Sequence, residues 1–457
     1  MGRIEGHGGD LAVNVARGHG VETMFTLSGG HVFPLYDGAV RAQPPMRLVD
    51  VRHEQTAVFA AEASAKLTRK PGLAVLTAGP GVTNGISGVA TAHFNGSPLL
   101  VLGGRAPQGR WGTGSLQEID HPPLLEPITK HAGTVPSADQ VASGVDAALR
   151  LATAPHRGPV FLDVPLEHLF DQAGVEAPQG ERPAPVEPDP DAVGAAADAL
   201  ARAQRPVLVL GSDVWTEGAE QAAREAAEEL AVPVITNGMG RGVLPSGHEQ
   251  LVTRARSTAF GLADLVIVAG SPLDFRLGYG HFGGKDGAPR AEVVHLADSA
   301  DQLATHVGLA AGVYGDFTRI FTALAETAGR RDTGSFAEWR KRLRGAAHAA
   351  VGRDRELMES NADPIHPARI YGELRPMLGD DAVVIGDGGD FVSFAGKFIE
   401  PSRPGCWLDP RPVRLPRHRA RLRGRGPPLP AVGAGRVAAR RRSRGLLSHG
   451  RGHAGAP

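Results

Sequence analysis

Cysteine occurs once in this chain of 457 residues, at Cys406, so neither a disulfide framework nor a cysteine-based zinc site can form within it. A reducing, cytoplasmic setting is the expectation that follows. Aromatic residues make up only 5% of the chain. Cores must then be built from Ala, Val and Leu, a composition suited to parallel sheets covered by Ala-rich helices. No apolar run approaches a membrane span, and the start MGRIEGHGGDLAVNV lacks a secretory apolar segment. The expectation is a soluble protein of two or three α/β domains.

Another absence is local. Residues 411–457 contain no acidic residue and no Lys, but 13 Arg. Because the whole chain sums to zero, residues 1–410 carry −13 (36 cationic against 49 acidic residues). Such a tail reads first as a disordered basic extension. It lacks the aromatic interleaving of single-stranded nucleic-acid sites, and no nucleic-acid partner is expected.

What is present is regular alternation. Helix signals at Leu11–Arg17, Val32–Val40 and Glu54–Lys70 alternate with apolar strands at Glu22–Leu27, Arg47–Val51, Leu73–Thr77 and Pro98–Gly103. This predicts consecutive doubly wound parallel-sheet α/β domains. The boundaries read as a first domain 1–172, a Pro- and acid-rich linker 173–192 and a Rossmann-like middle domain 193–330. A helical linker 331–364, the start of a third domain 365–410 and the aberrant tail 411–457 follow.

Two segments carry chemistry. In RLVDVRHEQTAVFAAEASAKL a buried strand runs into Glu54 and an Ala-rich helix. A carboxylate at a strand's carboxyl end lies where open parallel sheets bind ligands. Read alone, Glu54 is as readily a first-turn acid favoured by the helix dipole. In LAVLTAGPGVTNGISG a strand ends in Thr77-Ala78-Gly79-Pro80-Gly81 before a helix opens. Those glycines let backbone pass close to a ligand with helix amides exposed, although a lone Gly-rich turn is a weak signal.

Together, FTLSGGHVFPLYD, VRHEQTAVFAAE, TAGPGVTNG, GSLQEID and GPVFLDVP resemble, in order and spacing, the pyrimidine-binding domain of thiamine-diphosphate enzymes. The match is to the acetolactate synthase catalytic subunit and its bacterial relatives, close over residues 8–170 and looser to about Pro410. The resemblance implies decarboxylation of a 2-keto acid (pyruvate) with carboligation to a second keto acid, in branched-chain amino acid biosynthesis. It implies a homodimer or homotetramer, with any regulatory subunit undetermined. Glu54 matches the glutamate that bonds N1′ of the cofactor's aminopyrimidine and so activates the thiazolium C2. A Gln could accept that bond but not stabilise the charged form. Gly30, Thr77, Gly79, Pro80, Gly81 and Asn84 match the cofactor loops, and Gln117 matches a glutamine near the substrate. Leu116 departs from the Phe common before that glutamine. His31 is a second departure, equally readable as a substrate-facing group or as a cap of the following helix.

By the same resemblance Arg157, Arg254, Gly270, Asp274 and Arg276 fall in regions that hold a nucleotide, FAD in acetolactate synthases or an ADP moiety in coenzyme-A-linked relatives. A structural role for these βα turns stays open. Mg²⁺ is implied for the cofactor diphosphate, yet no metal ligand is assigned. The motif Gly386-Asp387-Gly388 is set aside because no Asn follows Asn361, and the family's metal motif needs one. An arginine-rich run without acids is typical of GC-rich coding DNA read out of frame, and a shifted reading permits a Gly-Asp-Gly there. The alternatives are a 2-hydroxyacyl-CoA lyase or oxalyl-CoA decarboxylase-like enzyme, or a non-catalytic truncated family member.

Overall fold

A computed structural model describes residues 2–178, 184–287, 289–330, 334–386, 388–408 and 431–434. The architecture is α/β, with parallel sheets flanked by helices. Asp387 and most of the arginine-rich tail lie outside the described residues.

The first unit opens with β1 (Arg3–His7) and α1 (Gly8–Gly18). Next come β2 (Thr23–Thr26), α2 (Phe33–Arg41), β3 (Arg47–Asp50) and α3 (Glu54–Thr68). After them run β4 (Gly72–Leu76), α4 (Pro80–Asn95), β5 (Leu99–Arg105), β6 (His131–Thr134) and β7 (Pro159–Pro165). The parallel sheet has the order β3-β2-β4-β5-β7-β6. β4, β5 and β7 are buried at every residue. That is why they read as near-continuous apolar runs instead of alternating ones, interrupted only by Arg105 in β5 and Asp163 in β7. The connection after β2 runs one way, to β3, and the connection after β4 runs the other way, to β5, so the switch point of the sheet lies between β2 and β4. The loops after β2, β3 and β4 all emerge at that end.

β8 (Gln172–Glu176) pairs antiparallel with β1. Residues 173–176 therefore belong to the first unit, not to a linker: their alternating exposed and half-buried pattern is that of a two-stranded surface ribbon. The Ala-rich sequence of α3 buries Ala57, Ala60, Ala61 and Ala65. Small residues bring α3 and α4 so close that a Cβ on Gly88 would stand 2.7 Å from Val58.

The middle unit holds β9 (Pro206–Leu210), β10 (Val234–Thr236), β11 (Leu265–Ala269), β12 (Glu292–Ala297) and β13 (Ala311–Tyr314) in the order β10-β9-β11-β12-β13. One face packs on helices 190–202, 220–229 and 317–328. The long helix Ala337–Met358 covers the other face with Trp339, Leu343 and Ala347, and Trp339 Nε1 donates to Pro206 O at 3.0 Å. Residues 331–364, expected as a linker, thus include a helix that is part of the middle unit's core. Its amphipathic stripe has a sheet to bury against.

A third unit has β14 (Val383–Gly386) between β15 (Trp407–Leu408) and β16 (Ala431–Ala434), all parallel. The tail was expected to hold no strand. Ala431–Ala434, which carries no arginine, forms one. Asp390 opens the helix Asp390–Phe398. The units meet through polar seams. Trp215 Nε1 donates to Lys66 O at 2.8 Å, and Arg69 lies 3.6 Å over the Trp215 ring while pairing with Glu220 at 2.6 Å. Between the middle and third units, Arg241 donates to Gly396 O at 2.9 Å. Among the described residues no helix is long and apolar enough to cross a membrane.

Candidate active site

Glu54 is the first residue of α3, 8% exposed, and follows β3 after a three-residue turn. His53 caps the helix, its Nδ1 accepting from Gln55 N at 3.2 Å. Asn84, in the second turn of α4, donates from Nδ2 to Glu54 Oε2 at 3.0 Å. Among the described residues nothing donates to Oε1. A Cβ on Gly81 would meet Thr77 Cγ2 at 2.6 Å and stand 3.8 Å from that oxygen, so close packing beside the carboxylate asks for glycine. Two helix N-termini and one neutral donor thus hold a carboxylate with a free acceptor oxygen.

The turn before α4 has an unusual backbone. Gly79 sits at φ 62° and ψ −117°, and a Cβ there would come 2.8 Å from Gln117 Cβ. Pro80 takes the first helical position, where its missing N–H costs nothing. Gln117 itself has φ 59°. The loop carrying it is closed by Glu118, which accepts from Gly112 N at 3.0 Å and Ser115 N at 3.2 Å. Thr77 lies behind, and a Cβ on Gly29 would meet Thr77 Cβ at 2.3 Å. Gly30 is exposed beside it, opening a short 3₁₀ turn. The structure therefore brings Glu54, Thr77, Gly79, Pro80, Gly81, Asn84 and Gln117 to one end of one sheet, with Gly30 at the margin.

His31 is buried, its Nδ1 3.4 Å from Thr77 Oγ1. Burial pushes its imidazole below the ordinary histidine value, and a backbone hydrogen bond with Leu116 opposes this. The ring is no helix cap, since no side-chain cap is made at either adjoining helix start. Leu116 points outward, 76% exposed.

Three residues beneath the turn were missed in the sequence. His121 Nε2 lies 2.9 Å from Gly79 N, and its Nδ1 lies 2.9 Å from Asp163 Oδ2. Arg105 NH1 reaches the same Asp163 oxygen at 2.9 Å. His121 and Asp163 are wholly buried. The available signal was an Asp inside the apolar strand GPVFLDVP, because a buried carboxylate needs partners.

The middle-unit residues are placed elsewhere. Arg157 pairs with Glu217 at 2.8 Å, joining the first and middle units. Burial raises the Glu217 carboxyl to about 7 despite the pull of Arg157. Gly270, at φ 64°, packs its Cα face against Val214 N, where a Cβ would come within 2.9 Å, so close packing explains this glycine. Asp274 accepts from Arg276 Nε at 3.0 Å and NH2 at 2.7 Å. Arg256 donates to Arg276 O at 2.6 Å, and burial together with Arg241 and Arg276 lowers it to about 10. Arg254 pairs with Asp354 and helps line a cavity of about 410 Å³ between the middle and third units, which excludes Glu54. That cavity is wide but has none of the cofactor-loop geometry, so Glu54 marks the candidate site. Among the described residues a His7, Asp10 and Asp37 cluster could reach one ion. Arg41 already pairs there with Asp37 at 3.0 Å, so the cluster reads as an ion-pair network.

Residues 6–124 match the model of the thiamine pyrophosphate enzyme N-terminal TPP binding domain, and residues 193–324 match the thiamine pyrophosphate enzyme central domain. The acetolactate synthase large subunit IlvG of Mycobacterium tuberculosis is 46% identical over 412 residues, covering 89% of this chain and 73% of the relative. The 2-hydroxyacyl-CoA lyase 2 of Caenorhabditis elegans is 33% identical over 454 residues, covering 88% of this chain and 69% of the relative. That of Mus musculus is 32% identical over 447 residues, with 88% and 69% covered. The chain belongs to the thiamine pyrophosphate enzyme family and is an acetolactate-synthase-like member of it.

Proposed function

We propose that this chain supplies the pyrimidine-binding half of a carboligase site that decarboxylates a 2-keto acid, pyruvate, and joins the two-carbon unit to a second keto acid. The observation that carries the reading is the Glu54 carboxylate, held through one oxygen by Asn84 and open at the other. When bound, thiamine diphosphate supplies a carbon nucleophile and an electron sink. Glu54 holds a proton at the aminopyrimidine ring nitrogen, and its burial keeps that bond out of competition with water. Gly81 packs against Thr77 beside the carboxylate, while Gln117 stands at the mouth as a neutral donor and acceptor for the substrate.

The second reading, a coenzyme-A-linked lyase, is supported less, since those relatives share 33% identity or below against 46%. For the middle unit the proposal is an anionic nucleotide, FAD before ADP. Arg241 and Arg276 both lie close enough to Arg256 to lower it, while Asp274 beside Arg276 and Glu400 3.5 Å from Arg241 offset part of that charge. A homodimer or homotetramer belongs to the same reading, its support being the exposed Leu116 loop. So does a cytoplasmic setting, from the single cysteine. Mg²⁺ belongs to the same reading as the ion that would neutralise the cofactor's diphosphate, and no residue of this chain is assigned to hold it.

The test is Glu54→Gln, followed by deuterium exchange at C2 of added thiamine diphosphate and by acetolactate formation. Exchange in the wild type, lost by about 100-fold or more in the variant, supports the reading. Equal exchange in both would overturn it. A yellow purified protein with a flavin spectrum would support FAD.

A further inference from the structure

We propose that His121 is a positioning residue of the Glu54 site, holding the Gly79 turn through a neutral imidazole whose proton is confined to Nδ1. The proposal deepens the reading above, because it concerns the turn from which Asn84 reaches Glu54. A backbone N–H can only donate, so His121 Nε2, 2.9 Å from Gly79 N, must be its unprotonated acceptor. The ring proton is then on Nδ1 and donates to Asp163 Oδ2 at 2.9 Å. Asp163 cannot swing away. Arg105 NH1 holds the same oxygen at 2.9 Å and also reaches Asp120 Oδ1 at 3.0 Å. The Arg105 guanidinium is sealed on one side by the Trp111 ring, 3.9 Å away. The His121 ring meets Phe161 edge-on at 6.2 Å, which fixes its plane from below.

The bond matters because of where it lands. Gly79 caps α4 with a backbone geometry that only glycine adopts freely, and nothing in its own side chain restrains it. The imidazole supplies the restraint. It sets the start of α4, hence the position of Asn84 against Glu54 and of Gln117 against Gly79. His121 and Gln117 share one loop, so the segment that presents Gln117 also anchors the turn it faces. A donor in place of Nε2 would point hydrogen at hydrogen and release the turn.

The test uses the full chain without cofactor, so its failure is distinct from failure of the Glu54 experiment. Nitrogen-15 spectra of the histidine rings should show His121 as the neutral Nδ1–H tautomer. Amide hydrogen exchange at Gly79 should rise about 100-fold in His121→Leu, while Val89 and Ala92 in the body of α4 stay protected. In His121→Gln the side-chain oxygen and amide nitrogen can stand in for Nε2 and Nδ1–H. That variant should keep Gly79 exchange within about fivefold of wild type and leave the Asn84 side-chain amide signals in place. If His121→Leu does not fold, the tautomer and the His121→Gln measurement carry the test. An Nε2–H tautomer, or Gly79 exchange in His121→Gln as fast as in an unprotected amide, would overturn the proposal.

Discussion

The side-chain amide of Asn84 and the carboxylate of Glu54, 30 residues apart in sequence, meet at 3.0 Å across the starts of two helices. The amide is the neutral partner that lets a buried carboxylate sit there without a counter-cation. Asn84→Asp keeps the shape and removes the donor, setting two acids against each other. Urea denaturation at pH 7 should show a loss of about 1–3 kcal/mol. An unchanged denaturation midpoint would contradict this account.

Gly79 and Gln117 constrain one another. Gly79→Ala places a Cβ 2.8 Å from Gln117 Cβ on a backbone at φ 62°. The expected cost is about 1–3 kcal/mol in thermal or urea unfolding, with faster protease nicking of the loop 108–120. Gly30→Ala is the control. Nothing lies within 4 Å of a Cβ there, so its effect should stay within about 0.5 kcal/mol.

Glu217 makes the joint between the first and middle units sensitive to pH. Burial raises its carboxyl from 4.5 to about 7, outweighing Arg157 at 2.8 Å. The folded chain then binds more protons than the unfolded chain between those values. Stability from this group is full below pH 4.5 and is lost as pH rises through 7, by on the order of 3 kcal/mol. Glu217→Gln, neutral throughout, should flatten that part of the stability profile measured by calorimetry from pH 5 to 8. An unchanged slope would count against it.

Lys130 acts in the opposite sense. Burial lowers its ammonium to about 8, while Asp298 and Asp301 pull it back up, and Nζ donates to Ala154 O at 2.8 Å. Between pH 8 and 10.5 the unfolded chain binds the extra proton, so this group favours folding increasingly as pH rises. Lys130→Met should remove that rise. Melting temperatures of the two proteins at pH 7.5 and 9.5 check it, and parallel curves would exclude the effect.

Much of the fold is legible as one-dimensional pattern. The runs LAVL and LLVL are apolar throughout because β4 and β5 are covered on both faces, and the Ala-rich run after Glu54 packs where only small residues fit. Residues 173–176 and the helix after Phe336 fall in segments that read as linkers along the sequence, yet one pairs with β1 and the other buries Trp339 against the middle sheet. An amphipathic segment shows only that it has an apolar face, and the surface that face meets is a property of the folded chain.

Glu54 shows the division most clearly. Its residue type and its place between a strand and a helix were determined by the sequence, and so were the Gly79-Pro80-Gly81 turn and Gln117. Their meeting was not. Glu54 and Asn84 come together because parallel strands deliver successive loops to the same sheet end, at the switch point between β2 and β4. His121, Asp163 and Arg105 gain their role only there. Pairing and desolvation depend on distances across 42 and 58 residues of chain, which local periodicity does not encode.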